Sequence, residues 1–186
     1  MPLPRSKSRI LQNRIADGFS FELKILITVR IQSEHRDDYK AAADQLLDAG
    51  FLYPCFCTRK DILREIEASG RAPHGSEGLL YPGTCRRLSK DERESRFAAG
   101  LPYALRLDVE KALAEVGEEL FWTDSEAGIQ QVAPSALGDA VIVRKDIGTS
   151  YHLAVVVDDG LQGITDVVRG VDLFESTHLQ VILQKL

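Results

Sequence analysis

The chemistry a reader meets first is sulfur chemistry. All three cysteines of the chain fall inside one stretch, running from Phe51-Leu52-Tyr53-Pro54-Cys55-Phe56-Cys57-Thr58-Arg59 to Tyr81-Pro82-Gly83-Thr84-Cys85-Arg86-Arg87. A Cys-x-Cys on a proline-preceded turn can aim two thiolates at one ion, and Cys85 makes a third. Zinc takes four tetrahedral ligands, usually Cys or His, so the fourth stays open among His74, Tyr81, a carboxylate and water. Arg59, Lys60, Arg86 and Arg87 flank the thiols and would favour their ionised form. Against the metal stands the plain alternative of three buried free thiols, since unpaired cysteine is among the most buried residue types. A thiol nucleophile fits less well, because no histidine stands in an obvious base position beside any of the three.

These side chains need elements to hold them. Ser33 reads as an N-cap, with Glu34, Asp37 and Asp38 complementing the helix dipole. Tyr39, Ala42, Leu46 and Leu47 follow at helical spacing until Gly50 stops the run. Thr58 with Asp61 and Ser89 with Glu92 are two capping-box patterns, opening helices that run to Gly70 and Gly100. Residues 71–80 read as a loop between Cys57 and Tyr81. Tyr103 to Val109 alternates and reads as a half-buried strand, with Leu120-Phe121-Trp122 as a further short strand.

Beyond this, Asp139 to Lys145 and Tyr151 to Val157 read as a strand pair joined by a turn. Ile164 to Gly170 reads as another strand, and Ser176 as the cap of a terminal helix. The continuous apolar runs at 153–157 and 164–168 suit strands covered on both faces of an α/β sheet. Near the start, Phe19 to Arg30 alternates loosely as a strand, and basic Met1 to Arg9 reads as a leader.

At 186 residues the chain can build one domain with a small insert, and its composition (44% hydrophobic, 27% charged) is that of a soluble globular protein. No apolar run approaches the roughly 20 residues that span a bilayer, and no signal-peptide core is present. An odd number of cysteines argues against a secreted disulfide framework and for a reducing, cytoplasmic setting. A net charge of −5 does not favour bulk nucleic-acid binding, although a local basic patch surrounds the cysteines. There is no internal repeat and no low-complexity segment.

Five blocks in order carry a resemblance. They are Gln32 to Tyr39, Tyr53 to Arg59, Tyr81 to Arg86, Tyr151 to Asp159 and Gln162 to Leu173. Together they resemble the glutamyl-queuosine tRNA(Asp) synthetases, class I aminoacyl-tRNA synthetases that are paralogues of glutamyl-tRNA synthetase. The resemblance runs from about residue 29 to 186 and leaves 1–28 as an unmatched leader. It implies an α/β fold: part of a class I nucleotide-binding, Rossmann-like domain, with a zinc-containing insert at about 51–100. It implies Cys55, Cys57, Tyr81 and Cys85 as the zinc ligands, and Tyr151 and Arg169 as the contacts to the glutamate substrate. A guanidinium there suits bidentate pairing with a carboxylate.

The activity implied is ATP-dependent activation of glutamate and its transfer to the queuosine base of tRNA(Asp), by a cytoplasmic monomer with no membrane partner. The HIGH-like and KMSKS-like motifs that contact ATP in this family are not found in the chain, so adenylate formation by this copy is expected to be impaired and no catalytic residue is assigned. Three other readings stand beside it: a non-catalytic, zinc-stabilised tRNA-binding module using Arg59, Lys60, Arg64, Arg71, Arg86 and Arg87; a remnant of a damaged gene without function; and a piece of an ordinary glutamyl-tRNA synthetase.

Overall fold

The structure, a computed structural model, describes residues 11–14, 20–23, 30–69, 74–75, 78–79, 81–117, 119–133 and 138–186. The chain divides into two compact units, Met1–His35 and Arg36–Leu186. In the first, β1 (Leu11–Arg14) and β2 (Ser20–Leu23) pair antiparallel, and a 3-10 turn spans Gln32–Glu34. The strand expected over Phe19 to Arg30 is thus present at Ser20–Leu23, and residues 24–29 lie outside the described residues.

The second unit opens with α1 (Arg36–Asp48), whose Tyr39, Ala43 and Leu46 are buried. The helix starts two to three residues later than a Ser33 cap would place it, because Ser33 sits in the 3-10 turn. Its end is as expected. The Phe51 amide reaches the Leu46 carbonyl at 2.9 Å and the Gly50 amide reaches Leu47 at 2.9 Å, a Schellman closure. Gly50 sits at φ +73°, a left-handed conformation that a side chain would strain.

The chain then enters β3 (Leu52–Cys55), the edge of a three-stranded antiparallel sheet in the order β3–β6–β9, where β6 is Ala104–Leu107 and β9 is Val141–Val143. Leu52 lies opposite Leu107, Tyr53 opposite Arg106, Pro54 opposite Leu105 and Cys55 opposite Ala104. Successive side chains on a strand point to opposite faces. Leu52 and Leu107 therefore join the main core, while Tyr53 and Cys55 enter a second, smaller cluster on the other face. All four β3 residues are buried for this reason.

Two capped helices lie in the cysteine region. Before α2 (Arg59–Ser69) the Thr58 hydroxyl accepts from the Asp61 amide at 3.2 Å, and the Asp61 carboxylate accepts from the Thr58 amide at 2.8 Å. Before α3 (Lys90–Ala98) Ser89 and Glu92 make the same reciprocal pair. Both expected capping boxes are present. Between the helices, β4 (His74–Gly75) and β5 (Gly78–Leu79) pair antiparallel within the segment expected as loop.

After β6, the Asp108 side chain caps α4 (Val109–Val116) through the Lys111 amide at 3.1 Å. The hairpin β7–β8 follows (Phe121–Asp124 and Gly128–Gln131), which agrees with a strand at Phe121-Trp122.

Three expectations fail in the last fifty residues. Tyr151–Gln162 is a helix, α5, not a strand. The Ser150 hydroxyl caps it by accepting from the Leu153 amide at 3.4 Å, and Gly163 closes it at φ +65°. The 139–157 strand pair is therefore absent, and β9 pairs instead with β6. Residues 164–170 carry no regular structure, and Val168 is 98% exposed, so this segment is not a doubly covered strand. The last helix, α6 (Phe174–Lys185), starts before Ser176, which lies buried within its first turn instead of capping it. All strand pairs among the described residues are antiparallel, so no parallel sheet accompanies the mixed α/β architecture.

The main core gathers α1, α4, α5 and α6 against the sheet, around Tyr39, Leu107, Ile142, Leu153 and Ile182. The Tyr39 hydroxyl donates to the buried Asp158 carboxylate at 2.8 and 3.0 Å, fixing α1 to α5. Ile142 is fully buried in the short central-core strand. Ile142→Ala should therefore lower unfolding stability by about 2–5 kcal/mol and Ile142→Val by about 1 kcal/mol. Urea titration should show that order as falling midpoints at constant slope.

Candidate functional site

Cys55 ends β3, Cys57 lies two residues on in the turn before α2, and Cys85 lies in the 3-10 turn Thr84–Arg87. Their sulfurs all lie within 4.8 Å of one another, with Cys57 Sγ 3.4 Å from Cys85 Sγ. Two thiolates on one tetrahedral zinc, with Zn–S near 2.3 Å, stand about 3.8 Å apart, so this spacing fits a shared ion. The phenol oxygen of Tyr81 is 3.6 Å from Cys57 Sγ and accepts the Cys85 amide at 2.8 Å. The structure thus brings together all four residues named as ligands. The His74 side chain, the other candidate, lies outside the described residues.

The electrostatics of the cluster are those of three thiols sharing one negative charge. Hydrogen bonding from Cys55, with help from Tyr81, brings the Cys85 thiol down to about 6. Its partner Cys55, donating to it and buried, is pushed up to about 12. Burial also raises Cys57, and burial followed by hydrogen bonding to the sulfurs raises Tyr81. One ready thiolate beside two protonated thiols and a phenol is a donor set that a divalent cation would complete by displacing protons.

The cation acting on this cluster is Arg106, which the sequence reading did not single out. Its guanidinium lies over the Tyr81 ring at 3.9 Å and donates to the Asp139 carbonyl at 2.6 Å. Of the basic residues flanking the thiols, Arg86 turns instead to Asp108 at 3.5 Å, Glu110 at 3.2 Å and Asp139 at 3.6 Å. Arg59, Lys60 and Arg87 are exposed. The Asp139 carboxylate also accepts from the Tyr53 hydroxyl at 2.5 Å and from the Val109 amide at 3.3 Å. A signal for Arg106 was legible: it alternates with Leu105 and Leu107, and pairing with β3 places it across from Tyr53, two residues before Cys55.

The two carboxylate-binding candidates lie elsewhere. Tyr151 is the first residue of α5, about half exposed, its ring 5.6 Å from that of His152. Arg169 follows the irregular segment, is partly buried, and donates from Nη1 to Gln180 Oε1 on α6. Tyr151 and Arg169 make no hydrogen bond to each other among the described residues. Burial raises the Asp159 carboxyl above its ordinary range, opposed by the charge of Arg169.

Comparison with known proteins decides the family. The family model for the catalytic domain of class I tRNA synthetases (E and Q) matches residues 9–186. The chain belongs to this family. It is 46% identical over 156 residues to a glutamyl-Q tRNA(Asp) synthetase of Symbiobacterium thermophilum, covering 83% of this chain and 45% of that protein. A glutamyl-Q tRNA(Asp) synthetase of Nocardia farcinica is 40% identical over 184 residues, covering 99% of this chain and 55% of that one. The crystal structure of a glutamate tRNA ligase from Elizabethkingia meningosepticum, in complex with its amino acid, superposes with a TM-score of 0.63 at 27% identity. That match covers 82% of this chain and 30% of the other. The chain thus spans about half the length of the curated relatives it matches. Among its described residues, no helix is long and apolar enough to cross a membrane.

The Tyr53–Asp139 bond is a buried link between β3, the strand that carries Cys55, and the segment leading to β9. Tyr53→Phe should leave the buried carboxylate short of a donor and cost roughly 1–3 kcal/mol. A denaturant titration reads this directly; an unchanged midpoint would show that the bond carries none of that stability.

Proposed function

We propose that the chain serves the activity named for its similar relatives: activation of glutamate with ATP and its transfer to the queuosine of tRNA(Asp). The observation that carries this reading is 40–46% identity, over 83–99% of the chain, to proteins named glutamyl-Q tRNA(Asp) synthetase. In it, Tyr151 and Arg169 hold the amino acid. Arg169 suits the task because a guanidinium stays charged at any working pH and can pair with a carboxylate through two parallel hydrogen bonds. Tyr151 suits it because its side chain is exposed at the first turn of α5, where a phenol can reach a small polar ligand.

Zinc is the ion we assign to Cys55, Cys57, Tyr81 and Cys85. Three sulfurs within mutual reach and a phenol oxygen 3.6 Å from one of them supply the four donors that tetrahedral zinc needs. Bound there, the ion supplies folding free energy, and the residues themselves join β3, the 3-10 turn at Thr84–Arg87 and the loop before it.

Two measurements test the reading. Cys55→Ser and Cys85→Ser should lower the zinc-to-protein ratio found by elemental analysis from about one towards zero. An unaltered ratio in both variants would sink the metal centre. Arg169→Ala should weaken L-glutamate binding by about 1.5–3 kcal/mol, the worth of a hydrogen bond to a charged group. Calorimetry returning equal affinities for wild type and variant would remove Arg169 from the site. Charging of tRNA(Glu) in place of tRNA(Asp) would redirect the assignment to the glutamate tRNA ligases, to which the chain is also similar.

A further inference from the structure

Gln180 is almost completely buried in α6, at 2% exposure, among the apolar side chains that seat the helix on the main core. A polar amide in that position needs a reason. One half of it has one: Arg169 donates from Nη1 to the Gln180 Oε1. The orientation of the amide follows from chemistry, since a guanidinium has five N–H donors and no acceptor, so only the carbonyl end can face it. The other half has none. Gln180 Nε2 is buried and has no hydrogen-bond partner. An amide donor left unpaired in the interior is costly, and such groups in folded proteins call for a specific explanation.

We infer that Gln180 is the positioning residue for Arg169 and supplies a further donor to the carboxylate that Arg169 takes. This deepens the proposed function and rests on its reading of Arg169. The choice of an amide matters. A carboxylate at the same place would hold the guanidinium more strongly, but would also neutralise it, leaving little attraction for an anionic ligand. The amide carbonyl fixes the arginine and leaves its charge available. Burial holds the Asp159 carboxyl, which also feels the charge of Arg169, above its ordinary range. A ligand carboxylate reaching Arg169 offers acceptor oxygens of the kind that Nε2 lacks.

The test compares Gln180→Met and Gln180→Glu with wild type and Arg169→Ala in the full chain, using L-glutamate as the calorimetric probe and thermal unfolding as the readout of fold. Gln180→Met keeps the volume and removes the unpaired amide, so it should melt at or above the wild-type temperature while binding L-glutamate at least tenfold more weakly. Gln180→Glu should bind more weakly still, because it neutralises Arg169 and adds a negative charge. A merely structural glutamine predicts the opposite pattern, with melting lowered in Gln180→Met and affinity unchanged; that result overturns the inference. If Gln180→Glu does not fold, the Gln180→Met pair of readouts decides alone. Equal binding by wild type and Arg169→Ala, or no binding by wild type, overturns the Arg169 reading and the inference with it. Loss in Arg169→Ala with wild-type affinity in Gln180→Met overturns only the role of Gln180.

Discussion

The carboxylate of Asp139 is the constraint from which much of the cysteine region hangs. It is buried, it accepts from the Tyr53 hydroxyl and from the Val109 amide, and it is ion-paired with Arg86 at 3.6 Å. Its own carbonyl accepts from Arg106. These four partners come from β3, the start of α4, the 3-10 turn that carries Cys85, and β6. One acidic residue therefore ties together the strand that ends in Cys55 and the turn that supplies Cys85. A buried charge is tolerated only when paired and hydrogen-bonded, and here the pairing doubles as the means of holding two separated cysteines in register.

The same logic makes the sheet two-faced. A sheet with water on one side would alternate apolar with exposed polar residues. On β3 and β6 the second face is covered, but by a different kind of interior: Tyr53, Cys55, Tyr81 and Arg106 in place of the Leu, Ile and Val of the main core. Arg106 bridges the two characters. Its guanidinium lies on the Tyr81 ring, where a cation meets the negative face of an aromatic, and its Nη1 donates to the Asp139 carbonyl. The face that reads as solvent in the alternating pattern is the face that carries the cysteines.

This is also where the sequence stopped being legible. Side chains whose partners lie within a few residues were readable: both capping boxes, the Gly50 stop and the strand at Ala104–Leu107 depend on local chemistry. The cysteine cluster was readable because cysteine is rare and its spacing restrictive. Asp139 was not, and Arg106 showed only its place in the alternating strand, because the bond between them joins residues 33 apart in the chain. The stretch from Tyr151 to Val157 misled for a different reason. A short, unbroken apolar run fits a buried strand and a buried helix equally well, and its β-branched valines tilt the reading towards strand. The deciding signals were at its ends, in the Ser150 cap and the Gly163 stop, which together mark twelve residues and not seven. Tertiary packing against α1 and α6 then outweighs the strand preference of Val155–Val157.

A size argument links the smaller core to the metal proposed for it. Its buried members are Tyr53, Cys55, Phe56, Tyr81 and Cys85, with Cys57, Ile62 and Leu88 partly covered. Five buried side chains remove too little apolar surface to offset the ordering of the two helices and two turns around them, and small cores of this kind depend on staples. Three of the five are tyrosine or phenylalanine, and the other two are sulfur donors already placed for an ion. The aromatic rings Phe56, Phe97 and Tyr103 extend the cluster, at centroid distances of 5.0–5.8 Å, but Phe97 and Tyr103 remain more than a third exposed. Burial alone therefore gives this region little stability of its own. A cation that converts protonated thiols to ligands would contribute where the apolar contacts fall short.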